Sequence, residues 1–211
     1  MMRVTAEACR VAASGGPTLD ARYTVGTSIA AAAVVAAPHP LYGGSIDNPV
    51  VLATIAGLNE SSIATLAFNY RGIGQSEGSP TDSLEAAVDD YNAALGELTS
   101  RAPRPYFAAG YSFGAGTALL AARDDARVAA VVLVAPPVRL LSAADLRAFA
   151  GRIFVVVGDD DEYAPVAELS ALLAVRPDAT LSLISGADHF FHFGGLSQLA
   201  QLIASHVRSW L

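Results

Sequence analysis

The sequence has 211 residues, of which 53% are hydrophobic and 16% charged, and its formal net charge is −7. This much apolar material at this length can fill one core over residues 1–211, which argues against a disordered chain. The negative balance and the lack of a basic run argue against a surface that tracks nucleic-acid phosphates or docks on an anionic membrane.

One cysteine, Cys9, rules out an internal disulfide framework and leaves a structural zinc site without a ligand set. In a strand-like segment it reads as a buried, inert thiol. No apolar stretch of signal-peptide type follows the Met1-Met2-Arg3 start, so a cytoplasmic location is expected. The most apolar run, residues 29–38, is too short to span a bilayer.

In chain order, residues 3–13 and 18–24 flank Ser14-Gly15-Gly16-Pro17 and read as an antiparallel hairpin. Residues 29–37 are almost continuously apolar, as in a strand covered on both faces. Asp47-Asn48-Pro49 offers an N-cap and a first-turn proline for a helix ending near Leu58. Residues 64–70 form a strand. Asp82-Ser83-Leu84-Glu85 resembles a capping box, and Leu84, Val88, Tyr91, Leu95 and Leu98 then recur at helical spacing. Strand and helix alternate from there: strands at 105–111, 128–135, 153–158 and 180–184, helices at 113–123, 143–149 and 165–175. A closing amphipathic helix carries Leu196, Leu199, Leu202, Ile203, Val207 and Trp210. Such alternation predicts an α/β fold with a mostly parallel sheet covered on both faces. Loops at the carboxyl ends of its strands would carry the chemistry.

Gly110-Tyr111-Ser112-Phe113-Gly114 lies between an apolar strand and a helix. That placement suits a nucleophile on a sharp turn, because small neighbours avoid the strained serine and a helix N-terminus faces the developing oxyanion. Ala187-Asp188-His189-Phe190-Phe191 follows the last strand and brings a base, His189, to the same sheet edge. Asp159-Asp160-Asp161-Glu162 supplies four carboxylates to orient that base. Asp161, near the loop apex before Pro165, is favoured and Asp160 stands second. The run lacks the spacing of a calcium loop. Pro38-His39-Pro40-Leu41-Tyr42-Gly43-Gly44 follows the most apolar strand. With the N–H of Phe113, a backbone N–H of this loop would complete an oxyanion hole; Leu41 is the choice and Tyr42 the next. The glycine-rich Arg71-Gly72-Ile73-Gly74-Gln75-Ser76-Glu77-Gly78 lacks the lysine of a P-loop and reads as a structural turn.

In this order and spacing, the motifs at 39–44, 69–76, 110–114, 158–165 and 188–191 resemble the α/β-hydrolase superfamily, and more narrowly its small capless bacterial group. They are also similar to dienelactone-hydrolase-like proteins, which use a cysteine where Ser112 stands. The resemblance implies an α/β-hydrolase fold, with a sheet of about seven or eight strands behind an N-terminal antiparallel hairpin. It further implies a Ser-His-Asp triad on Ser112, His189 and Asp161, with no metal or organic cofactor. Two departures stand out: the short segment 78–85 with Pro80, and His192-Phe193 in place of His-Gly, where His192 is expected to be structural. Residues 138–151 leave no room for a cap domain. The site should therefore be open, with Leu41, Tyr42, Val138, Leu140, Leu141 and Tyr163 at its rim. The expected activity is hydrolysis of a small ester or thioester through an acyl-enzyme, on a small-molecule acyl substrate. A small serine peptidase and a non-catalytic binding or scaffold protein on the same fold are the alternatives. The aliphatic content fits a homodimer face as well as a large core.

Overall fold

The computed structural model describes residues 5–12, 16–192 and 194–211. The turn residues Ser14 and Gly15, the ends of the first predicted strand at Arg3, Val4 and Ala13, and Phe193 lie outside the described residues. The strands are β1 (Thr5–Ala12), β2 (Thr18–Val25), β3 (Ala31–Ala36), β4 (Ile63–Phe68), β5 (Tyr106–Tyr111), β6 (Val128–Val134), β7 (Arg152–Gly158) and β8 (Thr180–Ile184). They form a sheet in the order β1-β2-β4-β3-β5-β6-β7-β8. β1 pairs antiparallel with β2, and β2 antiparallel with β4; all other pairs are parallel.

The helices are α1 (Pro49–Glu60), α2 (Leu84–Arg101), α3 (Phe113–Arg123), α4 (Ala143–Ala148), α5 (Val166–Leu173) and α6 (Gly195–Val207). Side chains alternate across a strand, so β3 sends Ala32, Val34 and Ala36 to one core and Ala31, Ala33 and Val35 to the other. The first core packs under α2, α3, α4 and α5 through Tyr91, Leu95, Leu119, Leu146 and Leu169. The second packs under α1 and α6 through Val51, Leu58, Leu199 and Ile203. This is the expected two-sided architecture with the hairpin at one edge. Between β6 and β7 only a 3-10 turn (Val138–Leu140) and α4 intervene, so no cap covers the sheet's carboxyl edge. No helix among the described residues is long and apolar enough to cross a membrane.

Several boundaries differ from the sequence reading for physical reasons. β3 ends at Ala36 and β4 at Phe68; just past β4, the Asn69 side chain accepts the N–H of Ile46 (2.9 Å) while its backbone N–H bonds to Asp20 O (2.8 Å). The N-cap of α2 is Ser83, whose Oγ accepts the N–H of Ala86 (3.2 Å). Glu85 therefore sits one position too early to close a reciprocal box. Pro165 caps α5 rather than belonging to it, and α5 ends at Leu173. Trp210 lies in a terminal 3-10 turn after α6. Cys9 is half-buried on the edge strand β1, not buried, and its partial burial pushes the thiol pKa up.

Candidate active site

The central strand β5 delivers Ser112 to the carboxyl edge, where α3 begins at once. Ser112 holds φ 55° and ψ −119°, a conformation costly for a residue with a Cβ. The surrounding backbone enforces it. The Ser112 N–H bonds to Val134 O (2.9 Å), and Ser112 O accepts from Ala115 N–H (2.9 Å). The turn closes only because its flanks are glycine. A Cβ on Gly110 would stand 2.1 Å from Gly114 O, and one on Gly114 would stand 2.5 Å from Ala37 O.

His189 comes from the loop between β8 and α6 and is 6% exposed. Its Nε2 lies 3.0 Å from Ser112 Oγ and its Nδ1 lies 2.8 Å from Asp161 Oδ2. With Nδ1 carrying the proton, the imidazole donates to the carboxylate and accepts the serine O–H at Nε2. Three features hold the histidine loop. The phenol of Tyr111 donates to His189 O (3.1 Å), and burial keeps that phenol protonated far beyond the ordinary tyrosine range. Asp188 accepts the N–H groups of Phe190 and His192 and pairs with His192 Nδ1 (2.7 Å), which gives His192 a structural place in the loop. Gly158 lets β7 approach, since a Cβ there would stand 2.0 Å from Ala187 O.

Among the four acidic residues after β7, the structure separates the roles. Asp161 is 4% exposed; its Oδ1 accepts the N–H groups of Tyr163 (2.8 Å) and Ala164 (3.0 Å), and Oδ2 faces His189. Asp159 Oδ1 accepts the N–H of Gly186 (2.6 Å). Asp160 and Glu162 are exposed. Only Asp161 of the run meets the histidine. Ser112, His189 and Asp161, from three distant loops, thus form one hydrogen-bonded chain.

The cavity above Ser112 has a volume of about 460 Å3. Of the predicted rim residues, Tyr42, Leu140 and Tyr163 line it. Val138 and Leu141 do not: Leu141 is 8% exposed and belongs to the core under α4, and Val138 packs on the same core. The 3-10 turn rotates these two inward and turns Arg139 and Leu140 toward the cavity. Leu41 is half-exposed beside the cavity rather than in it. Sequence reasoning missed His39, Asn48, Phe113 as a wall, Arg139 and Phe190. For Phe190 the signal was adjacency to His189; for Arg139 none existed, because its direction depends on a turn invisible in the pattern.

The predicted oxyanion donors stand differently. No described residue accepts the N–H of Phe113, at the start of α3. The N–H of Leu41 is occupied: it donates to His39 Nδ1 (3.2 Å). The N–H of Tyr42, the second choice, goes to His39 O (3.1 Å). The Leu41 donor expected to be free is therefore engaged in this structure, because the ring of His39 folds back over its own turn. That ring is held 4.7 Å from Phe113 and 4.6 Å from Tyr42, centroid to centroid. Its partial burial lowers its pKa, favouring the neutral ring that can accept the Leu41 N–H.

Residues 50–157 match the serine aminopeptidase S33 family. A protein of Rickettsia prowazekii (strain Madrid E) is 30% identical over 189 residues, covering 83% of this chain and 78% of that one. An α/β serine hydrolase homologue from Coxiella burnetii superposes with a TM-score of 0.84 at 30% identity, covering 95% of this chain and 97% of that one. A Xanthomonas campestris α/β serine hydrolase without a lid gives a TM-score of 0.84 at 28% identity, covering 98% and 95%.

Proposed function

This chain belongs to the serine aminopeptidase S33 family of the α/β-hydrolase superfamily, in its lidless group, and from that premise we propose that it is a serine esterase working through an acyl-enzyme on Ser112. The observation that carries the reading is the continuous chain from Ser112 Oγ to His189 (3.0 Å) and from His189 to Asp161 (2.8 Å).

Ser112 Oγ attacks the carbonyl carbon of an ester while His189 Nε2 takes the hydroxyl proton. Asp161 holds the ring in the required tautomer and stabilises the imidazolium that forms. The carbonyl oxygen becomes an oxyanion beside the Phe113 N–H at the N-terminus of α3. Leu41 supplies the second donor by releasing His39 Nδ1. An N–H bond between neutral groups gives way to a charge-assisted one, which is roughly twice as strong, so the exchange is favoured as charge develops. His189 returns its proton to the departing alcohol, and the acyl group stays on Ser112. A water molecule then gives a proton to His189 and attacks the acyl carbon. The acid leaves and Ser112 regains its proton.

The family description raises a peptidase as the second reading. An aminopeptidase must hold a substrate ammonium, and the described residues of the cavity lining offer it no carboxylate; the permanent charge among them is that of Arg139. Esters therefore fit this lining better than N-terminal residues of peptides. Turnover of a short-chain p-nitrophenyl ester and of an aminoacyl p-nitroanilide separates the two. Hydrolysis of the ester alone is expected, with Ser112→Ala losing at least about 10⁴-fold in kcat while keeping the fold. An unchanged rate in that variant removes Ser112 from the chemistry.

A further inference from the structure

Among the described residues that line the cavity above Ser112, Arg139 is the one with a permanently charged side chain. It follows β6, the strand next to β5, on the 3-10 turn Val138–Leu140. That turn is fixed. The N–H of Val138 donates to Tyr163 O (3.1 Å), and Gly116 of α3 lies so close that a Cβ there would stand 3.0 Å from Leu140 Cβ. The base of the arginine is thus anchored to the two elements that hold Ser112 and Asp161.

Its guanidinium is left without a counterion. The chain carries 20 acidic and 13 basic residues, and Arg22, Arg71, Arg101, Arg123, Arg127, Arg176 and Arg208 each form an ion pair; Arg10, Arg104, Arg147 and Arg152 form none with a described residue, but none of these four lines this cavity. Arg139 forms none with any described residue, and no described residue accepts a hydrogen bond from it. It nevertheless acts on the site, because its charge reaches His39, as does the opposite charge of Asp82. An unpaired arginine at the wall of the nucleophile's cavity has the fork of donors that suits planar anions. The other walls, Tyr42, Phe113, Leu140, Tyr163 and Phe190, are apolar or aromatic and suit the body of a small organic acid derivative.

We propose that Arg139 is a specificity-determining residue that selects esters bearing a carboxylate, on either the acyl or the alcohol side of the scissile bond. The inference rests on the esterase reading above. Arg139 takes no part in bond making; it binds the charged group and so sets which ester reaches Ser112.

The test compares kcat/KM for two matched pairs with the full chain. The acyl pair is mono-p-nitrophenyl glutarate against p-nitrophenyl hexanoate; the alcohol pair is 3-carboxyphenyl butyrate against phenyl butyrate. On one pair the charged-to-neutral ratio should fall about five-fold in Arg139→Gln, the size of a partly exposed ion pair, and Arg139→Lys should retain part of it. Added salt should erode the wild-type ratio on that pair and leave the Arg139→Gln ratio nearly flat. The pair that responds identifies which side of the ester carries the charge. Ratios that are the same in wild type and Arg139→Gln on both pairs overturn the assignment while leaving a working serine esterase. No turnover of any of the four esters by wild type overturns the esterase reading and this inference with it.

Discussion

Asp161 and Asp160 are neighbours in sequence with opposite surroundings, and the difference is one of solvent and partners. Asp161 is 4% exposed, with both oxygens occupied by hydrogen-bond donors, whereas Asp160 is exposed. Asp161→Asn should leave the loop standing, since an amide oxygen can still accept from Tyr163 and Ala164, but the imidazole loses the carboxylate that fixes its tautomer. A fall in kcat of about 10⁴-fold is expected, against less than about two-fold for Asp160→Asn. Comparable losses in both variants, measured on the same ester, would point to the acidic run acting as a field rather than through one carboxylate. At this scale Ser112, His189 and Asp161 were legible, because each follows an apolar strand and the order of the strands forces their loops to one edge. The second oxyanion donor was not. Whether Leu41 N–H is free depends on which way the His39 ring turns, and no pattern of residue types encodes a side-chain rotamer.

The glycine-rich loop after β4 is an element whose chemistry turned inward, as its sequence suggested when it failed to match a phosphate cradle. Arg71 places its backbone N–H and its guanidinium on Asp90 of α2, which is fully buried (2.7 to 3.2 Å). Asn69 reaches Asp20 on β2 (2.9 Å), and Ser76 Oγ donates to Asn69 O (2.9 Å). The loop thereby ties α2 and the hairpin to the central strands. Arg71→Ala leaves a buried carboxylate with one backbone donor. It should cost about 3 kcal/mol in denaturant unfolding, at the lower end of the range for a broken buried pair because Arg71 is itself part-exposed. Arg22→Ala, which breaks the exposed pair with Asp47, should cost less than about 1 kcal/mol. Equal costs would mean that the loop is held by its turns and not by Asp90. Helix positions were legible from a cap with a first-turn proline at Asn48 and Pro49, and from the helical period that begins at Leu84, although the cap of the latter lies one residue later than the expected box. The 3-10 turn Val138–Leu140 escaped notice, since three residues carry no period, and it is the element that decides which of Val138, Arg139, Leu140 and Leu141 face the cavity.

Across the whole molecule, the two-faced sheet was the most legible feature, because near-continuous apolar strands alternating with amphipathic helices leave few other arrangements. The second core closes with the His206 ring stacked on Phe154 (3.9 Å, 9° between planes) and edge-on to Trp210. Burial lowers the His206 pKa below the ordinary 6.5. As pH falls through 6.5 the unfolded chain therefore takes up its proton before the folded chain does. The stability contributed by the neutral ring is complete above that pH and is lost progressively below it. His39 is shifted in the same direction and adds to the slope. His206→Phe keeps the stack and removes the titration, so melting temperature should vary less with pH between neutrality and the acid limb than in wild type. An unchanged slope would assign the acid sensitivity elsewhere. The reactivity of Ser112 in the folded chain is read by intact-protein mass after treatment with a fluorophosphonate, followed by peptide mapping. One phosphonyl adduct per chain is expected, mapped to Ser112 and absent from Ser112→Ala; a folded wild-type chain that takes up no label, or the same adduct on the variant, would remove Ser112 as the nucleophile.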